Sequence, residues 1–127
     1  MPHIVVEYTN NLKDETDISQ LLKSLHGVLI DRSSIFPIGG IRSRAIELQT
    51  YYVADGTVED AYVHVTFKIF SGRSKEVKEE TCKALFEVVT DHFSDIFDRR
   101  SLALSMELVE LNETGSFIIN NIHQRYK

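Results

Sequence analysis

From Ile4 to Tyr8 the apolar residues fall on every second position (Ile4, Val6, Tyr8), the period of a strand with one face on a core. Asp17, with Gln20 three residues on, forms a capping-box-like start. Ile18, Leu21, Leu22, Leu25 and Val28 then repeat at helical spacing. After a loop holding Pro37, Gly39 and Gly40, the positions Ile46, Leu48, Thr50 and Tyr52 alternate again and predict a second strand that runs to the Asp55-Gly56 turn. The same order recurs downstream. Ala61, Val63, Val65, Phe67 and Ile69 alternate up to Ser71-Gly72-Arg73-Ser74, where Ser74 is a candidate helix cap. A helical stripe follows at Val77, Ala84, Leu85, Val88, Val89, Phe93 and Ile96, and Leu102, Leu104, Met106 and Leu108 alternate as a fourth strand.

The chain therefore reads as two β-α-β units in tandem, about residues 2–56 and 60–112, within one domain spanning 1–127. A helix between two strands normally joins parallel neighbours through a right-handed crossover. Two such units predict an α+β fold: a four-stranded mixed sheet with two helices on one face. The other face is left needing a partner, which predicts an oligomer. The tail 113–127 contains Phe117-Ile118-Ile119-Asn120-Asn121-Ile122, too apolar for a loose end and too short to stand alone, and is expected to exchange with a neighbouring subunit.

Composition narrows the chemistry. At 127 residues, 43% apolar and 26% charged, the chain is large enough for a real core. A single cysteine, Cys82, excludes an internal disulfide and a thiolate metal cluster. Cys82 sits beside the helical stripe and reads as a core or boundary residue. The formal charge of -5 argues against nucleic acid, and no apolar run is long enough for a signal peptide or a membrane span, so the expectation is a cytoplasmic protein. The five histidines are scattered without metal-ligand spacing, so no metal is expected. His64 shares the less apolar face of the third strand with Tyr62 and Thr66, a place for an interface, a pocket wall or plain solvent.

Three features remain that bear chemistry. Pro2 follows Met1, and removal of that methionine leaves a free secondary amine; read blandly, Pro2 simply begins an edge strand. Arg42 and Arg44 follow Gly39 and Gly40, glycines that let backbone come close to a ligand, and arginine's planar fork suits carboxylates. Arg73 lies at the start of the second helix, where unpaired N–H groups already favour an anion. Each arginine also has a plain reading as a surface charge. Together they describe an anion site that contains a base, for a small anionic substrate.

The start Pro2-His3-Ile4-Val5-Val6-Glu7, the loop Ile35-Phe36-Pro37-Ile38-Gly39-Gly40-Ile41-Arg42-Ser43-Arg44, the turn Gly72-Arg73-Ser74 and Ser101-Leu102-Ala103-Leu104-Ser105 resemble the 5-carboxymethyl-2-hydroxymuconate isomerase family of the tautomerase superfamily. The likeness runs along essentially the whole chain. The second half also resembles short bacterial tautomerases built from one β-α-β unit that begins with proline. Here that unit begins internally near Ala61, whose nitrogen is locked in an amide, so one active site per chain is expected. The resemblance implies a tautomerase-like homotrimer with sites near subunit boundaries, and a cofactor-independent isomerase acting in breakdown of aromatic acids such as homoprotocatechuate. It casts Pro2 and Arg42 as catalytic and Arg44 and Arg73 as substrate-binding, with Arg42 and Arg73 favoured as the essential pair. Two alternatives stay open: a non-catalytic trimeric module that binds small dicarboxylates, and a tautomerase with a different keto-enol substrate. All of the catalytic readings require Met1 to be removed, since a retained methionine ties the Pro2 nitrogen into an amide.

Overall fold

The computed structural model describes residues 1–127. Strands β1 (His3–Thr9), β2 (Arg42–Leu48), β3 (Ala61–Phe70) and β4 (Leu102–Leu111) form one sheet in the order β2-β1-β3-β4. β1 pairs parallel to β2, β3 pairs parallel to β4, and the two pairs meet antiparallel at β1 and β3. Helix α1 (Ile18–Ile30) makes the first crossover; α2 (Lys75–His92) and the short α3 (Ser94–Arg99) make the second.

The predicted caps form. The Asp17 carboxylate accepts from the backbone N–H of Gln20 at 3.1 Å, and Ser74 Oγ accepts from Val77 N–H at 3.2 Å. The capping box is one-sided, because the Gln20 amide turns to Ser24 Oγ instead. Two expectations need correction. The second helical stripe is two helices, not one: at Phe93 the backbone leaves helical values (φ -100°, ψ 9°), which lets both Phe93 and Ile96 turn into the core. The sheet therefore carries three helices. The second strand starts and ends earlier than its apolar alternation predicted, because β1 ends at Thr9 opposite Leu48 and leaves Thr50 and Tyr52 no backbone to pair with. Ala54, at φ 52°, instead turns the following loop.

Ile4, Val6, Val63, Val65, Phe67 and Ile69 from the sheet meet Leu21, Leu25, Leu29, Leu85 and Val89 from the helices in one buried core. Burial of such side chains stabilises by roughly 1.5–3 kcal/mol each relative to exposure. No helix lies over the opposite face. By register it presents His3, Val5 and Glu7 from β1, Arg42, Arg44 and Ile46 from β2, Tyr62, His64, Thr66 and Lys68 from β3, and Ser105 and Glu107 from β4. No helix is long and apolar enough to cross a membrane.

The tail forms no strand within the chain. Phe117 and Ile119 stand in solvent, 91% and 101% exposed. Beyond them the chain returns: a 3₁₀ turn at Ile122–Tyr126 packs on the 3₁₀ turn Ile38–Gly40, and Asn120 Nδ2 donates to the Gly39 carbonyl at 2.8 Å.

Candidate active site

Pro2 is buried where β1 begins. Its carbonyl accepts from the Arg42 backbone N–H at 3.0 Å, so the first bond of the parallel pair also fastens the chain start to the arginine loop. A cavity of about 150 Å³ opens here, lined by Met1, Pro2, Pro37, Gly40, Ile118 and His123.

The Gly72-Arg73-Ser74 turn supplies Arg73. Gly72 sits at φ +109°, a backbone setting that side-chain-bearing residues rarely adopt, and so turns β3 sharply into α2. The Arg73 guanidinium lies 4.7 Å from the centre of the Phe36 ring and donates to the carbonyls of Phe70 at 3.1 Å and Ile35 at 3.4 Å. Phe36 in turn meets Phe67 edge-on in the core, with ring centres 6.0 Å apart. The guanidinium is thus held rigidly, with three of its five N–H donors still available.

The N-terminal amine feels this arrangement. Partial burial, then the charges of Arg73 and Arg42, push the Met1 amine below its ordinary pKa. The charges of Arg42 and Arg73 thus reach the chain start, although neither side chain lines the cavity at Pro2. Arg44 shares the uncovered sheet face with Arg42, and its side chain lies 3.2 Å from His3 Nδ1. Burial and the charges of Arg44, Arg42, the N-terminus and Lys68 together hold the His3 imidazole below the usual histidine range. Of the seven arginines, Arg32, Arg99 and Arg100 pair with Glu80 or Glu15, whereas Arg42, Arg44, Arg73 and Arg125 have no carboxylate partner, Arg125 meeting only Tyr126 in the tail. In a chain of net charge -5, Arg42, Arg44 and Arg73 are thus cations left free to attract an anion.

Other candidates fall elsewhere. His64 reaches Ser105 Oγ at 2.7 Å and Glu107 Oε1 at 3.0 Å on the uncovered face. Cys82 is half-buried against the core, and burial pushes its thiol pKa up, which suits a boundary residue rather than a nucleophile. No group of three or more His, Cys, Asp or Glu side chains converges in metal-binding geometry.

The paired glycines have a different occupant from the one expected. A Cβ on Gly39 would lie 2.8 Å from the Cα and Nδ1 of His123, so the close approach at this turn is made by the chain's own tail. His123 and Ile118 escaped sequence reading because they lie far along the chain from Pro2. The adjacent glycines signal close contact without naming the partner.

A sequence profile described as 5-carboxymethyl-2-hydroxymuconate isomerase matches residues 2–126. A 5-carboxymethyl-2-hydroxymuconate Delta-isomerase from Escherichia coli is 40% identical over 127 residues, covering 100% of both chains. The crystal structure of a 5-carboxymethyl-2-hydroxymuconate isomerase from Deinococcus radiodurans R1 superposes with a TM-score of 0.96 at 51% identity, over 99% of this chain and 94% of that one. A protein described as a fused 4-OT wild type symmetric trimer has the same fold (TM-score 0.61, 19% identity, 91% and 90% covered). With its profile matched from Pro2 to Tyr126, the chain belongs to the 5-carboxymethyl-2-hydroxymuconate isomerase family.

Proposed function

We propose that this chain, with Met1 removed, catalyses tautomerisation of 5-carboxymethyl-2-hydroxymuconate with the secondary amine of Pro2 as general base. The observation that carries this reading is the burial of Pro2 at the start of β1, tied through its carbonyl to the Arg42 N–H; burial and the charges of Arg73 and Arg42 lower the pKa of the adjoining Met1 amine, which supports it.

A neutral amine is the requirement of the chemistry, because the base must accept and return a proton near neutral pH. The Pro2 lone pair takes the proton of the 2-hydroxyl. The O–H electrons become the new C=O, the conjugated double bonds shift, and carbon takes a proton from the Pro2 ammonium. One proton has moved from oxygen to carbon with no change of redox state and no cofactor. Arg42 faces the oxyanion as it develops, where an oriented donor is worth most. Arg73 binds a carboxylate, and Arg44 adds to the positive field through the His3 side of β1. Ala61, whose nitrogen is an amide that donates to the Ser101 carbonyl, has no lone pair to offer, so the second unit has no base of its own.

The uncovered sheet face and the exposed Phe117 and Ile119 support a trimer in which each tail packs on a neighbouring subunit. The test is turnover of 5-carboxymethyl-2-hydroxymuconate and of phenylpyruvate by protein whose mass shows Met1 absent, beside Pro2→Ala. The proposal expects turnover of the muconate and a loss of about hundredfold or more in kcat for the variant. Unchanged turnover by Pro2→Ala would remove Pro2 from its role, and turnover of neither compound by the native sequence would leave a carboxylate-binding module.

A further inference from the structure

Five histidines occur in the chain, and four of them have a side-chain partner: His3 meets Arg44, His26 meets Ser43, His64 meets Ser105 and Glu107, and His92 meets Thr16. His123 has none. Its ring nevertheless has a defined place. It lies over Gly39 and Gly40, and a Cβ on Gly40 would be 3.5 Å from His123 Cε1, 3.8 Å from Nε2 and 3.9 Å from Met1 Cα. The imidazole edge and the chain start therefore share the space above one glycine, and both line the cavity at Pro2.

We propose that His123 is a substrate-contacting residue, whose imidazole N–H donates to a carboxylate of the substrate bound at Pro2. This rests on the reading of that cavity as the isomerase site. A muconate bearing a carboxymethyl group carries three carboxylates. The charges of Arg42 and Arg73 act at the chain start without lining the cavity, and Arg44 is turned to His3, so a third carboxylate needs a donor from another element. His123 is the polar side chain of the tail that lines the cavity, and its ring nitrogens are uncommitted. Gly39 and Gly40 keep their usefulness in this arrangement, since any side chain at Gly39 would push the imidazole away. The tail thus supplies specificity for the extra carboxylate, while the chemistry stays with Pro2.

The test compares His123→Leu, which keeps bulk but has no donor, with His123→Gln, which keeps an N–H donor, in protein shown by mass to start at Pro2. For 5-carboxymethyl-2-hydroxymuconate, His123→Leu should raise KM about tenfold with kcat within about twofold, the loss expected for one hydrogen bond to a charged group. His123→Gln should recover most of that loss, and 2-hydroxymuconate, which lacks the carboxymethyl group, should show little change with either variant. A KM for His123→Leu equal to that of the unsubstituted protein, equal losses in both variants, or equal losses on both substrates would overturn the proposal and assign His123 to packing. Titration calorimetry with tricarballylate, an unreactive tricarboxylate, separates this from the reading of Pro2 as base. Tricarballylate binding weakened by His123→Leu in a protein without turnover would sustain His123 and sink the base; full turnover with unaltered binding would do the reverse.

Discussion

The guanidinium of Arg73 stacks on the ring of Phe36 at 4.7 Å, so the arginine of the second β-α-β unit is braced by the loop of the first. Its bonds to the Phe70 and Ile35 carbonyls close the same bridge. A lysine cannot reproduce a planar fork that stacks and donates at once. Arg73→Lys should therefore behave nearly as badly as Arg73→Ala, with KM for the muconate raised about tenfold or more in both. Steady-state kinetics that show Lys rescuing KM would mean that charge alone matters at this position.

Under the proposed mechanism the amine's pKa sets the acid limb of activity. The base works only when neutral, so kcat/KM should rise with pH and level off once the amine is deprotonated. Burial first, then Arg73 and Arg42, depress the pKa of the Met1 amine, and Pro2 lines the same cavity. Removing a neighbouring positive charge makes the protonated form easier to hold. Arg73→Ala and Arg42→Ala should therefore each move the acid limb to higher pH, read from kcat/KM between about pH 5 and 9. A limb that stays in place or moves down would contradict the electrostatic account.

Gly39 has no room for a methyl group. A Cβ there meets the His123 backbone at 2.8 and 2.9 Å, and backbone cannot rotate aside. Gly39→Ala should expel the Ile122–Tyr126 turn and cost roughly 1–3 kcal/mol, the usual range for overpacking. Hydrogen exchange should show faster exchange at the Gln124 amide, which donates to the Asn121 carbonyl, with the sheet amides unaffected. A native exchange pattern would show that the turn adapts.

Thr81 is fully buried on α2, and its hydroxyl has no hydrogen-bond partner. A buried unpaired hydroxyl costs about 1–3 kcal/mol, and valine has the same shape without it. Thr81→Val should raise the denaturant midpoint by an amount equal to about 1 kcal/mol, with activity unchanged. A lower midpoint would mean that the hydroxyl is satisfied in solution.

Much of the fold was legible because it rests on local periodicity. Alternation at Ile4, Val6 and Tyr8 and at Ala61 to Ile69 located β1 and β3, and Asp17 and Ser74 located the starts of α1 and α2. Where local and long-range demands differed, the long-range demand won. Thr50 and Tyr52 alternate as a strand would, yet β1 ends before them; Phe93 and Ile96 continue a helical stripe, yet reach the core only through a break.

Sequence alone determined the candidate chemical groups of the proposed site: a proline after methionine, two arginines after paired glycines, and an arginine in a Gly-Arg-Ser turn. Tertiary structure decided which of them meet. Parallel pairing of β1 with β2 ties Pro2 to Arg42, the turn at Gly72 swings Arg73 onto Phe36, and Arg44, two residues from Arg42 on the same strand, is drawn to His3. The return of the tail to Gly39 was invisible in the sequence, because a contact between distant segments leaves no period in either of them. Only the absence of a Cβ at Gly39, filled by His123, records it.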